Sequence, residues 1–281
     1  MIDPLWVWFG VVCVASAAGF CVGRVGSQRS PAWARWLAGG ASFTLALWLV
    51  LHHRPDAALR LMPAALLSRI EGVAAAPAFM VLCGIASAHA TARWRRPMVL
   101  SAAGFGLVYL VRGGLWMIQP TPAAALANAV SVGPVVQTQD WSCVPASCAT
   151  ALHLLGVPTS EAEMGRLTGA RPGVGSTLVR AVDGLERRLD GQPFQPRLVR
   201  LNDSGDLRYI PGPVLTALRL EPGQRHMVVI VAADHAGVRL ADPSIGRAIM
   251  DWPAFEQAFD GQVILFDGAP VDPVAALAAT Y

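Results

Sequence analysis

Lysine is absent from the chain: all 22 basic residues are arginine. That excludes a phosphate-binding P-loop, which needs its lysine, and Schiff-base chemistry, which needs an amine. Acids are nearly absent from the first 120 residues, where Asp3, Asp56 and Glu71 stand against ten arginines. The rest of the chain carries twelve arginines and sixteen acids. The formal net charge of +3 therefore hides two stretches of opposite sign, and it gives no argument for a nucleic-acid partner. A basic leader is missing too. The first residues are Met-Ile-Asp, so the apolar run behind them does not read as a secretory signal.

What is plentiful is apolar surface. Residues of that kind make up 54% of the chain and the mean hydropathy is +0.45, too apolar for an ordinary soluble protein. A membrane-spanning helix needs about 20 such residues. Pro4–Gly23, Trp36–Leu51, Gly72–Ala92 and Pro97–Ile118 fit, interrupted only by His89 and Arg112. Four transmembrane helices are expected, with the lipid bilayer as their partner. Pro55–Arg69 is amphipathic and is expected along the membrane surface. Arg24, Arg29 and Arg35 lie in the first loop, Arg54, Arg60 and Arg69 in the second, and Arg93, Arg95 and Arg96 in the third. Six arginines in the odd loops against three in the even one favour both termini outside the cytoplasm. Arg112 can snorkel from near a helix end, and His89 lies close to the interface. Cys13, Cys21 and Cys83 read as small apolar residues.

Beyond Pro120 the pattern changes. Pro120–Pro134 is small and apolar and reads as a connector. Ser142 is placed to cap a helix that opens at Cys143, tolerates Pro145 in its first turn and stops at Gly156. A capping box, Ser160-x-x-Glu163, starts a second helix, and Ser176 caps a third over Thr177–Leu189. Strands are expected at Arg197–Leu201, Val214–Leu220, His226–Val231, Val238–Asp242 and Gln262–Phe266, with a hairpin turn at Asp234–Gly237 and a short helix at Pro253–Phe259. Helices first and an antiparallel sheet afterwards make an α+β domain.

Four residues in this domain suit acyl chemistry. Cys143 sits at a helix N-terminus, where the positive end of the dipole favours a thiolate. His226 opens a strand, and Asp242 ends the next strand of the same hairpin, in reach to orient the imidazole. Gln137, six residues before the thiol, can aim its amide at an oxyanion, with the Cys143 N–H as second donor. Cys148 reads as core, and Cys143, Cys148 and His153 match no zinc spacing. His153 and His235 are expected to be exposed. Trp141 and Trp252 are expected to pack, with Trp141 placed to line a cleft as the alternative.

Taken together, Gln137, Cys143-Val-Pro-Ala146, His226-Met-Val-Val229 and Asp242-Pro243 resemble the papain-like cysteine peptidases. Within them they resemble the family that removes double-glycine leaders from bacteriocins and related secreted peptides. The likeness runs from about Val135 to Phe266. Val144 stands where that family has Gly, and Trp141-Ser142 where it has an acid, so the nucleophile pocket and substrate range differ. Hydropathy and composition give a helical membrane region (1–119) and a linker (120–134), and the resemblance implies a papain-like domain (135–281) with N-terminal helices packed on an antiparallel sheet. It implies a Cys143–His226–Asp242 peptidase assisted by Gln137, with no metal or organic cofactor, a peptide substrate cut after small residues such as Gly-Gly, and a secretion or transporter partner. The family's best-known members are fused to ABC transporters, but without room or lysine for it no such ATPase is expected within these 281 residues. Three rivals stand beside this reading. One is acyl or peptidyl transfer on the same scaffold, another a degenerate domain that binds a leader without cutting it, and the last a channel or assembly subunit built on Arg112 and His89. An exported thiol must also stay reduced to work.

Overall fold

The computed structural model describes residues 5–90, 94–119, 121–130, 133–221 and 224–268. Pro4, Arg93 and Pro120, which figure in the expectations above, lie outside the described residues. The chain divides into two compact units, Met1–Pro120 and Thr121–Tyr281.

The first unit is helical: α1 (Leu5–Arg29), α2 (Pro31–His53), α3 (Pro55–Leu61), α4 (Ala64–Ile70), α5 (Ala75–His89) and α6 (Arg95–Ile118). Four spans are long and apolar enough to cross a membrane: α1, α2, Ala64–His89 and α6. Their outer faces are greasy, with Val14, Phe43 and Phe105 each at least 70% exposed, as lipid-facing residues are. The third span starts earlier than its apolar run indicates. The amphipathic stretch folds as two short helices, and α4 runs through a turn into α5, so only α3 stands apart. Arg95 and Arg96 belong to the first turn of α6 rather than to a loop. Glycines set the helix spacing. A Cβ at Gly84 would collide with the Phe20 carbonyl of α1, and one at Gly23 with the Val81 carbonyl of α5. Small residues allow such backbone contact, the main source of association where no hydrophobic effect acts. Arg112 and His89 are both exposed.

The second unit holds α7 (Cys143–Leu154), α8 (Glu161–Thr168), α9 (Leu178–Arg188), β1 (Gln195–Arg200), β2 (Val214–Glu221), β3 (Gln224–Ala233), β4 (Val238–Asp242), β5 (Gly246–Met250), α10 (Trp252–Ala258) and β6 (Phe259–Asp267). The strands form one antiparallel sheet in the order β1-β6-β2-β3-β4-β5. Helix α7 packs on β3, β2 and β4, and α8 and α9 build outward from it. On the opposite face Val214, Leu218, Val228, Ile230, Leu240 and Val263 meet Phe255 and Ala258 of α10 and Leu207 of a 3-10 turn. Helical cover on both faces explains why β3 from Met227 onward is an apolar run instead of an alternating one.

Several local expectations shift by a residue, each for a physical reason. Thr177, not Ser176, caps α9, its Oγ1 accepting the Arg180 N–H at 3.2 Å, while Ser176 donates to the Thr168 carbonyl. Ser142 occupies the N-cap of α7, but its hydroxyl makes no cap bond because it is used elsewhere. Strand β5 was not anticipated. It is a five-residue edge strand whose Arg247 and Ile249 face out, and it follows a tight turn at Gly246 with φ +88°. In the stretch read as a connector, Ala123–Ala125 form a 3-10 turn, Leu126 is buried with Trp141 and Ala162, and the Ala127 carbonyl accepts the Ala162 N–H at 3.0 Å.

Candidate active site

Cys143 is the first residue of α7, and the His226 ring and the backbone N–H groups of Met227 and Val144 act on its thiol to favour the thiolate. The Val144 N–H is one of the free donors that every helix N-terminus offers. The Ser147 hydroxyl, one turn further along α7, donates to the Met227 carbonyl at 2.9 Å. The helix bearing the thiol is thus pinned to the strand bearing the imidazole, beside the histidine itself.

On the far side of the ring, His226 Nε2 lies 2.7 Å from Asp242 Oδ1. Continuing the β3–β4 register beyond Val229↔Ala241 sets Asp242 opposite Val228, two residues from His226, a diagonal that side chains span. The Ser244 N–H also donates to Asp242 Oδ1 at 2.7 Å, and Ser244 Oγ is 3.5 Å from Nε2. The His226 and Asp242 side chains are each 15% exposed, so the pair is sheltered but reachable.

These contacts set the electrostatics. Burial pushes the Cys143 thiol up, but hydrogen bonds from His226 and the Met227 N–H, with the imidazole's charge, more than offset it, and the thiol lies below its ordinary value. Burial pushes His226 down, but its bonds to Cys143 and Asp242 and their charges carry it above the ordinary imidazole value. A lowered thiol facing a raised imidazole is the pattern of a thiolate–imidazolium pair. Cys148 behaves oppositely: fully buried, its thiol is pushed far up by burial and then by the charge of Cys143.

Gln137 donates its backbone N–H to the Pro243 carbonyl at 2.7 Å, which sets it against the turn that carries Asp242. Its side-chain Oε1 is buried with no hydrogen-bond partner among the described residues. All four residues singled out from the sequence therefore gather at one end of α7. His153 does not fit its expectation. It is half-buried, with Nε2 2.6 Å from the Thr159 carbonyl, because the turn after α7 folds back over it. His235 is exposed. Trp141 is buried against Leu126, Ala162 and Ala170, and Trp252 donates to the Asp234 carbonyl at 2.7 Å and packs on Phe255.

One residue of the site carries no mark in the sequence. Glu161, the first residue of α8, is completely buried. Its Oε1 accepts the Thr138 N–H at 2.9 Å and the Ser142 hydroxyl at 2.6 Å. Its Oε2 accepts the Thr138 hydroxyl at 2.8 Å and the Ala127 N–H at 3.0 Å. An acid just after an N-cap serine is so common for dipole reasons that nothing set Glu161 apart.

Helices packed on an antiparallel sheet, with a thiol at a helix start beside an imidazole that is bonded to a carboxylate, are the pattern of the papain-like class. Within that class, residues 131–270 match the model of the peptidase C39 family. The chain belongs to the peptidase C39 family. An uncharacterized protein of Methanothermobacter thermautotrophicus is 31% identical over 136 residues, covering 47% of this chain and 87% of that protein. One from Methanothermobacter marburgensis is 29% identical over 137 residues, with the same coverage of 47% and 87%. Among solved structures, the peptidase domain of Streptococcus ComA, a bifunctional ABC transporter of a quorum-sensing pathway, is similar with a TM-score of 0.42 at 20% identity, covering 48% of this chain and 96% of that one. A double-glycine motif protease from an AMS/PCAT transporter, solved with a leader peptide, gives a TM-score of 0.38 at 19% identity, covering 50% and 93%.

Proposed function

We propose that the protein is a membrane-anchored cysteine endopeptidase that cuts a peptide or leader after small residues of the Gly-Gly type. The observation that carries this reading is the series Cys143 thiol, His226 ring, Asp242 carboxylate, with 2.7 Å at its last link.

The Cys143 thiolate attacks the scissile carbonyl, forming a carbon–sulfur bond and a tetrahedral oxyanion. The Cys143 N–H and the Gln137 side-chain amide stabilise that oxyanion. The intermediate collapses as the imidazolium of His226 gives its proton to the leaving amine, and a thioester remains. His226 then takes a proton from water, the hydroxide attacks the thioester, and the acid product and the thiolate are released. Asp242 holds the imidazole in one tautomer and stabilises its charged form. These residues perform the whole cycle between them. The Gly-Gly preference rests on the motif resemblance, as does a secretion or transporter partner that would present the substrate.

Thiol labelling tests the assignment. Iodoacetamide alkylation across pH should label Cys143 well below pH 8.5, faster than a free thiol, with the signal lost in Cys143→Ala and kept in Cys148→Ala. A neutral-pH rate no higher than that of a free thiol overturns it. Rapid labelling, with peptide bound but never cut, would favour the leader-binding alternative.

A further inference from the structure

We propose that Glu161 is a positioning residue for the thiol chemistry, holding the oxyanion-binding loop in its working shape; this rests on the peptidase reading above. Its carboxylate grips the residue directly after Gln137 and the residue directly before Cys143. Thr138 offers both its N–H and its hydroxyl, and Ser142 its hydroxyl, at 2.6–2.9 Å. The two proposed oxyanion donors, the Gln137 amide and the Cys143 N–H, thus flank a chain segment fixed at both ends by one side chain. Between them, the Gln139 N–H donates to Ser142 Oγ at 3.2 Å, so the loop is tied to itself through the hydroxyl that Glu161 holds. Ser142 gives up its usual capping bond to serve this network.

The fourth donor shows how far the grip reaches. Glu161 also binds the Ala127 N–H, and the Ala125 carbonyl accepts the Gln139 amide at 3.2 Å. The stretch leading into the peptidase unit is thereby fastened to the same loop. Every partner is a neutral donor, so the carboxylate is satisfied by geometry rather than by a counter-charge. None of these bonds touches His226 or Asp242, so Glu161 acts on where the oxyanion donors point and leaves the thiolate pair alone.

That separation gives the test. Alkylation by iodoacetamide needs the thiolate but forms no oxyanion. Acylation by p-nitrophenyl acetate needs both, since the thiolate adds to the carbonyl, an oxyanion forms, and p-nitrophenolate leaves. In the full-length chain, Glu161→Gln keeps the side-chain size but sets an NH2 against donors. Its acylation rate per titrated thiol should fall about 10²-fold while alkylation stays within about twofold of the parent. Thr138→Val and Ser142→Ala each remove one donor and should slow acylation roughly tenfold with the same unchanged alkylation; they carry the test if Glu161→Gln does not fold. Acylation at the parental rate in these variants, or acylation and alkylation falling together, overturns the positioning role while the peptidase reading stands. A parent protein whose Cys143 alkylates no faster than a free thiol sinks the peptidase reading, and this proposal with it.

Discussion

At Asp242, replacement by Asn keeps the shape of the side chain and removes the charge that faces His226 Nε2. The two hydrogen bonds and the charges of Cys143 and Asp242 raise the imidazole. Without the Asp242 share, the imidazolium gives up its proton at lower pH. The alkaline limb of kcat/KM against pH should therefore move to lower pH in Asp242→Asn, with kcat falling about 10²–10⁴-fold. The acid limb, set mainly by Cys143, should move less. Measured profiles in which the alkaline limb stays in place would remove Asp242 from its role. The four positions were legible because each has a local mark: a thiol at a helix start, a histidine opening an apolar strand, an aspartate ahead of a proline, a glutamine at fixed spacing. Glu161 was not legible. Its partners Ala127, Thr138 and Ser142 lie 34, 23 and 19 residues away, and only the fold brings them to one carboxylate.

Among the elements, the helices were read most securely, since capping residues and apolar runs declare them. Gly169, in the left-handed conformation at φ +60°, ends α8 as a terminal glycine should. Edges were harder. β5 pairs only with β4, and its outward Ile249 is as apolar as its inward Ala248 and Met250, so its sequence does not alternate. The spans ran longer than their charge-free cores because Arg29 and His53 close α1 and α2 while remaining helical. Helix crossings were invisible in the apolar runs, since a glycine needed for close approach looks like any other. Gly84 and Gly39 separate the two kinds. A Cβ at Gly84 meets the Phe20 carbonyl, whereas one at Gly39 finds nothing within 4 Å. Gly84→Ala should lower the thermal midpoint of the detergent-solubilised protein by an amount equivalent to about 1–3 kcal/mol. Gly39→Ala should leave it unchanged or raise it. Equal responses would mean that α1 and α5 do not touch backbone to backbone.

For the molecule as a whole, the division between an arginine-rich apolar half and a mildly acidic half was plain in composition alone. Sidedness rests on arginine counts: six lie at or near the first and third junctions between spans, many of them in the flanking helix turns, and three near the second. We infer that the peptidase unit lies outside the cytoplasm. Added protease should then cleave that unit in intact cells stripped of their outer barrier, and should spare it in sealed inverted vesicles; degradation confined to the vesicles would reverse the topology. The Gln137 N–H and the Pro243 carbonyl form a clasp that joins the arm bearing one proposed oxyanion donor to the arm bearing Asp242. The chain's own hydrogen bond latches these two arms together. On the proposed reading, the disorder of two loops is lost once, when the chain folds, so the grip on an incoming segment is left for bending its scissile bond instead of assembling the machinery around it.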